Sequence, residues 1–255
     1  MTRLTLSHDI GATGIPLIEE PIGRHFESMA KRFVDREALV SHHQKVRFTY
    51  GELDREANRL ASALMRAGLA KGDRAGIWAH NCSQWLLMQI ATAKAGIVLV
   101  NINPAYRVTE LEYALNKVGC KMLVTMTAFK TSDYLAIVND LAPELAASKP
   151  GQLAAARAPE LKTVVQLGST SVPGMMSFAE LTALGDPDDP AVARVGATLD
   201  ARDPINIQFT SGTTGFPKGA TLTHRNILNN GFFIGECMKL DEHDRLCIPV
   251  PLYHC

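Results

Sequence analysis

Between residues 75 and 125, short unbroken apolar runs alternate with longer segments of helical spacing. This rhythm restricts the fold more than any other feature of the chain. Residues 75–79, 97–100 and 122–125 show no in-and-out alternation, which fits strands covered on both faces. The segments between them, 83–94 and 109–118, are long enough for helices. Strands joined through such helices run parallel, because a tight hairpin cannot return the chain to start in the same direction. The expected class is α/β, with parallel-rich sheets flanked by helices in βαβ units.

The flanking stretches extend the pattern. Residues 1–22 read as an irregular arm rich in Gly, Pro and Ile, and 23–36 as a helix with apolar spacings of three and four. Residues 35–40 and 46–48 read as strand segments, and His42 and His43 between them as a solvated turn rather than metal ligands. Thr49 and Glu52 form a capping box ahead of a helix whose apolar face is Leu53, Ala57, Leu60, Ala61, Leu64 and Met65. Gly68 stops it. A helix over 134–141 ends before Pro143. The Ala-, Pro- and Lys-rich stretch up to Pro159 is either a second helix or a surface insertion. A strand over 164–167, a helix over 177–184 and an exposed loop over 185–190 follow.

Composition excludes several classes. The chain has 26 basic and 26 acidic residues, so no charge imbalance suggests a nucleic-acid partner. No run of about 18 apolar residues predicts a transmembrane segment. Cys82, Cys120, Cys237, Cys247 and Cys255 are odd in number and form no Cys-x-x-Cys pair, so neither a disulfide framework nor a zinc site is expected. A reducing cytoplasmic location is the simplest expectation.

The chemistry concentrates in residues 207–219. Ile205, Ile207 and Phe209 read as a strand that breaks into Thr210, Ser211, Gly212, Thr213, Thr214 and Gly215, followed by Pro217, Lys218 and Gly219. Glycines let backbone N–H groups approach an anion, hydroxyls donate to it, and Lys218 adds a mobile charge. An ordinary surface loop is the alternative for the Gly-Thr cluster alone. The order is not that of the GxxxxGK[ST] loop, because Lys218 follows Pro217 and precedes Gly219, and no GxGxxG occurs at this junction.

Residues 210–219 resemble the phosphate-binding loop of the adenylate-forming superfamily, which includes acyl-CoA synthetases, luciferase and peptide-synthetase adenylation domains. Thr221 to Asn226 resembles the helix start after that loop. The motif from Pro249 to His254 resembles the next family motif, and the segments 48–54 and 71–74 resemble its N-terminal region. Asn103-Pro104-Ala105-Tyr106-Arg107 resembles a family turn, to which a structural role is given, with Tyr106 packed on a neighbour. The nearest likeness is to bacterial medium- or long-chain fatty-acyl-CoA synthetases.

The resemblance implies the large N-terminal domain of that fold, here over 1–255 and partial. It implies MgATP and coenzyme A as co-substrates and a fatty acid or other carboxylate as the acid. Thr210, Ser211, Gly212, Thr213, Thr214, Gly215 and Lys218 would hold the ATP phosphates, and Tyr253 and His254 would stand at the acyl pocket. For His254 a merely packed histidine is the alternative. No catalytic or metal-binding residue is expected within the chain. The family's adenine and Mg²⁺ motif, its ribose aspartate, and the small lid domain with the adenylation lysine would lie beyond residue 255. An incomplete ligase, a non-catalytic nucleotide- or acyl-binding remnant, half of a two-chain enzyme with a complementing C-terminal chain, and an aryl- or aminoacyl-adenylating enzyme all remain open at this point.

Overall fold

The computed structural model describes residues 14–210 and 217–254. The chain opens with α1 (Ile22–Arg32), an antiparallel pair β1 (Glu37–Ser41) and β2 (Val46–Thr49), and α2 (Tyr50–Arg66). The capping box is present. Thr49 Oγ accepts from the Glu52 N–H at 3.2 Å, and the Glu52 carboxylate accepts from the Thr49 N–H at 2.8 Å. Gly68 follows with φ +95°, a left-handed conformation that glycine adopts without a Cβ penalty.

The alternating region then unfolds as expected: β3 (Arg74–Trp78), α3 (Ser83–Ala95), β4 (Val98–Asn101), α4 (Val108–Val118) and β5 (Met122–Thr125). A small hairpin, β6 (Ala128–Phe129) and β7 (Ser132–Asp133), leads to α5 (Tyr134–Leu141). β8 (Thr163–Gln166), β9 (Met176–Ser177), α6 (Phe178–Ala183) and α7 (Pro190–Gly196) follow. The last elements are β10 (Pro204–Thr210), β11 (Lys218–Thr223) and α8 (His224–Met238).

Among the described residues, seven strands form one sheet in the order β11-β10-β4-β3-β5-β8-β9, and every pairing except β10–β11 is parallel. Side chains alternate between two cores, one on each face. Ala75, Ile77, Leu99, Met122, Val124 and Val165 pack with α2 and α3. Trp78, Val98, Val100, Leu123 and Val164 pack with α4 and α5. The continuous apolar runs are thus explained: these strands have no solvent face.

Four expectations need correction. Residues 144–160 form neither a long helix nor a surface insertion. A short 3-10 turn at Pro143–Ala147 leads into an irregular stretch whose Leu145, Leu153, Ala155 and Ala158 are buried in the second core. The loop at 185–190 is only partly exposed, because it docks on α2. A Cβ on Gly185 would stand 1.9 Å from the Arg59 carbonyl oxygen. Ser62 Oγ donates to Asp189 at 2.8 Å. Helix α7 was not expected; its start signal is Asp189, which caps it just ahead of Pro190 at the first helical position. Strand β11 was also missed, since the sequence pattern led from the loop directly to the helix at Thr223.

Candidate functional site

In an open parallel sheet, ligands settle at the carboxyl ends of strands where successive crossovers leave toward opposite faces. Here α3, leaving β3, packs in one core, and α5, after β5, packs in the other. β3 and β5 are neighbours. Their carboxyl ends open into a cleft of about 690 Å³, lined by His80 and Asn81 after β3 and by Phe129 to Ser132 after β5. Asn103, Pro104 and Arg107 after β4 complete that side, while Pro249, Pro251 and Tyr253 form the opposing wall. Arg107 and Lys130 are cationic, and no carboxylate is among the lining residues.

The wall from 249 to 254 is carried by amides rather than by regular structure. Asn81 Nδ2 donates to the Val250 carbonyl at 2.9 Å, and its Oδ1 accepts from the Leu252 N–H at 2.8 Å. Buried Asn101 reaches the Leu252 carbonyl at 3.5 Å and accepts from Asn206 Nδ2 at 3.2 Å. Leu252 and Tyr253 pack on the first core. Trp78 supports the other side. It is fully buried, its indole N–H donates to the Asn103 carbonyl at 3.0 Å, and its ring lies 4.2 Å from that of Tyr134.

The described ends of the expected phosphate loop, Thr210 and Lys218, belong to two paired strands rather than to a strand and a helix. β10 runs parallel to β4, then pairs antiparallel with β11, so Thr210 stands opposite Lys218. Ser211, Gly212, Thr213, Thr214 and Gly215 lie outside the described residues. Thr210 and Lys218 are exposed at the two stems, and the Thr210 hydroxyl donates to the Lys218 carbonyl at 3.4 Å. The α4 residue Tyr113 donates its hydroxyl to the Pro217 carbonyl at 3.2 Å.

β11 leads without a break into α8. Thr223 caps that helix, its Oγ accepting from the Asn226 N–H at 3.2 Å. His224 is fully buried at the first helical position, and its Nδ1 accepts from the Ile22 N–H at 3.2 Å. Burial is the main reason its pKa falls to about 4; nearby Lys71 lowers it further, while Asp203 and Asp200 oppose the shift. Asn229 grips the Ile18 backbone, accepting from its N–H at 2.8 Å and donating to its carbonyl at 2.9 Å.

The structure therefore brings the expected site residues together in two pairs. Thr210 and Lys218 face each other across the hairpin. Tyr253 lines the cleft, whereas His254 is exposed and stacks beside it, ring centroids 4.1 Å apart. Asn81 and Tyr113 escaped the sequence reading, and Arg107 was read only as part of a structural turn. Asn81 and Arg107 sit just past apolar strands, a position that marks a ligand crevice; nothing in the sequence pointed to Tyr113. Tyr106 is partly buried on the second core, as a structural turn requires. His43 lies in a turn at the cleft mouth, its ring 5.9 Å from His80.

Two other features are set apart. A cavity of about 380 Å³ between α1, α3 and α7 includes Lys94, which is buried and paired with Asp54 at 2.8 Å. It lies away from the strand ends. Cys82 and Cys120 are free and buried, and burial pushes the Cys120 thiol up to about 12, so it stays protonated and inert.

An open crevice at the switch point of a mostly parallel, helix-flanked sheet defines an α/β protein with a ligand-sized cleft at its strand ends. The chain belongs to the AMP-binding enzyme family, whose model matches residues 26–255. The bovine mitochondrial medium-chain acyl-CoA ligase ACSF2 is 46% identical over 252 residues, covering 96% of this chain and 41% of that protein. YngI of Bacillus subtilis is 44% identical, covering 94% and 44%. The inhibitor-bound N-terminal domain of FACL13 from Mycobacterium tuberculosis superposes with a TM-score of 0.74 at 25% identity, covering 92% of this chain and 52% of that one. The chain thus spans about two fifths of the length of these curated relatives.

The cytoplasmic location expected from the cysteines is corrected by the same comparison. The bovine, macaque, mouse and human ligases at 45–46% identity are mitochondrial proteins. Unpaired cysteines report reducing surroundings, not a particular compartment.

Proposed function

We propose that residues 1–255 form part of the N-terminal AMP-binding domain of an ATP-dependent acyl-CoA ligase for medium-chain carboxylic acids. The observation that carries this reading is the family match across 26–255, joined to relatives of 45–46% identity named as medium-chain acyl-CoA ligases. A carboxylate oxygen attacks the α-phosphorus of ATP, the bond to pyrophosphate breaks, and an acyl-adenylate forms. The thiol of coenzyme A then attacks the acyl carbon, AMP departs with the bonding pair, and the thiol proton is released. The first step makes a poor acyl donor into a good one.

Positioning and charge do most of the work in such a reaction. Thr210, Ser211, Gly212, Thr213, Thr214 and Gly215 supply the loop's donors to the departing pyrophosphate, and Lys218 neutralises part of its charge. The cleft beside Tyr253 receives the acid. Its volume of about 690 Å³ is within the range of small-ligand sites. Phe129, Pro249 and Pro251 offer apolar wall, with His254 at its outer edge. Among the described residues no group of three His, Cys, Asp or Glu side chains can hold a metal ion. Mg²⁺ would enter with ATP, carried mainly on its phosphate oxygens, and needs no such cluster here.

The test uses the protein purified from its source. Hexanoate, octanoate and decanoate should yield acyl-CoA faster than benzoate or phenylalanine; preference for the aryl or amino acid would overturn the medium-chain assignment. Lys218→Ala should weaken MgATP binding by about 1.5–3 kcal/mol, tenfold or more, since it removes a charge-assisted contact. Unchanged binding by calorimetry would remove Lys218 from the phosphate site.

A further inference from the structure

We propose that Tyr113 is a positioning residue for Lys218, acting through the peptide unit that precedes it. The inference rests on the phosphate-loop reading above. Tyr113 lies on α4, remote in sequence from the hairpin, yet its hydroxyl donates to the Pro217 carbonyl at 3.2 Å. A peptide unit is planar, so a bond that fixes the Pro217 carbonyl also fixes the direction of the Lys218 N–H and the start of the Lys218 side chain. Pro217 has its own φ locked by its ring. The next peptide unit is held as well, by the Thr210 hydroxyl on the Lys218 carbonyl at 3.4 Å. Lys218 is thus clamped between two hydroxyl donors, one from α4 and one from the opposite strand.

The clamp continues toward the cleft. Tyr106 lies within electrostatic reach of Tyr113, Glu110 and Tyr253, and burial raises the Tyr106 pKa, so its phenol stays protonated. Glu110 in turn accepts from the Arg107 N–H at 3.1 Å and fixes the first turn of α4. The same short segment, 106–113, lines the acid cleft through Arg107 and reaches the stem of the phosphate loop through Tyr113. In a ligase this is the span across which the carboxylate and the α-phosphorus must be brought together.

Tyr113→Phe removes the hydroxyl and keeps the ring. In the protein purified from its source it should weaken MgATP binding by about fivefold, the size of one neutral hydrogen bond. The KM for the carboxylate and the melting temperature should be unchanged. In a Lys218→Ala background the same substitution should have no further effect on MgATP, because the group it positions is gone. If Lys218→Ala weakens MgATP binding but Tyr113→Phe does not, the positioning role is overturned and the loop reading stands. Were Lys218→Ala itself silent, the loop reading would fall and this inference with it. A Tyr113→Phe protein that melts lower and loses affinity equally with and without Lys218 would show a purely structural tyrosine and overturn the proposal.

Discussion

The crevice at β3, β4 and β5 and the flank formed by β10, β11 and α8 are built on different principles. Every residue of β4 and β5 is buried, and β3 is buried from Ala75 onward. β11 is an edge strand with three exposed residues, and α8 buries only His224 and Asn229. The crevice is held by two apolar cores, and the flank, beyond the buried middle of β10, by individual polar anchors: Tyr113 on Pro217, His224 on Ile22, and Asn229 on Ile18. Apolar burial is spread over many atoms and fails cooperatively. Polar anchors can be removed one at a time, and the residues they hold respond locally. The division suits the proposed chemistry, with a core-held crevice for the acid and loop stems held by single polar contacts for the phosphates.

The largest effect that would sharpen this contrast comes from Trp78, in the core that supports the crevice. Trp78→Ala should cost about 3–5 kcal/mol of global stability, from lost burial and the cavity left beside Tyr134. Urea unfolding reads this directly. A loss below about 1 kcal/mol would mean that the crevice is no more cooperative than the flank.

The same contrast explains what the sequence disclosed. Residues 75–125 were legible because covering a strand on both faces forces an unbroken apolar run, and covering a helix on one face forces a stripe. Thr49 with Glu52 was legible because a cap is local chemistry. β11 carries neither signal: an edge strand with exposed Lys218, Ala220 and Thr221 reads like loop, and only its pairing with β10 makes it a strand. The buried stretch after Pro143 was obscured for the opposite reason, since Leu145, Leu153, Ala155 and Ala158 fill the core without any regular period. The expected phosphate loop was readable only as composition, whereas the cleft is assembled from five separated segments whose meeting only the sheet order reveals.

The flank should show its own weakness in acid, through His224. In the unfolded chain a histidine titrates near 6.5. In the fold it is held down to about 4, mainly by burial, with Lys71 adding to the shift and Asp203 and Asp200 opposing it. The unfolded state therefore binds more protons between these values, and stability falls as pH drops from about 6.5 toward 4; above 6.5 the contribution is complete. The loss is on the order of 2 kcal/mol. Asp73, Asp189 and Asp203 have lowered pKa values and add their own acid loss, so the parent must be compared with His224→Gln at pH 7.5 and 4.5. The variant should lose less between the two. Equal losses would show that His224 does not carry the acid sensitivity and that the flank resists acid as well as the crevice does.

The smallest effect tests whether the crevice itself is uniform. Its outer wall, 249–254, depends on Asn81 in the manner of the flank, with one amide serving both Val250 and Leu252. Asn81→Ala should leave the global melting temperature nearly unchanged, because Asn81 lies outside both cores. It should release the Leu252 N–H, whose hydrogen exchange would quicken by about fivefold, the equivalent of roughly 1 kcal/mol for a hydrogen bond lost. Affinity for the acid should fall with it, since Tyr253 is carried on the same segment. If exchange at Leu252 stays as slow as in the parent, the packing of Leu252 and Tyr253 on the first core is sufficient to hold the wall. The boundary between the two regions would then lie at the β10–β11 hairpin rather than inside the cleft.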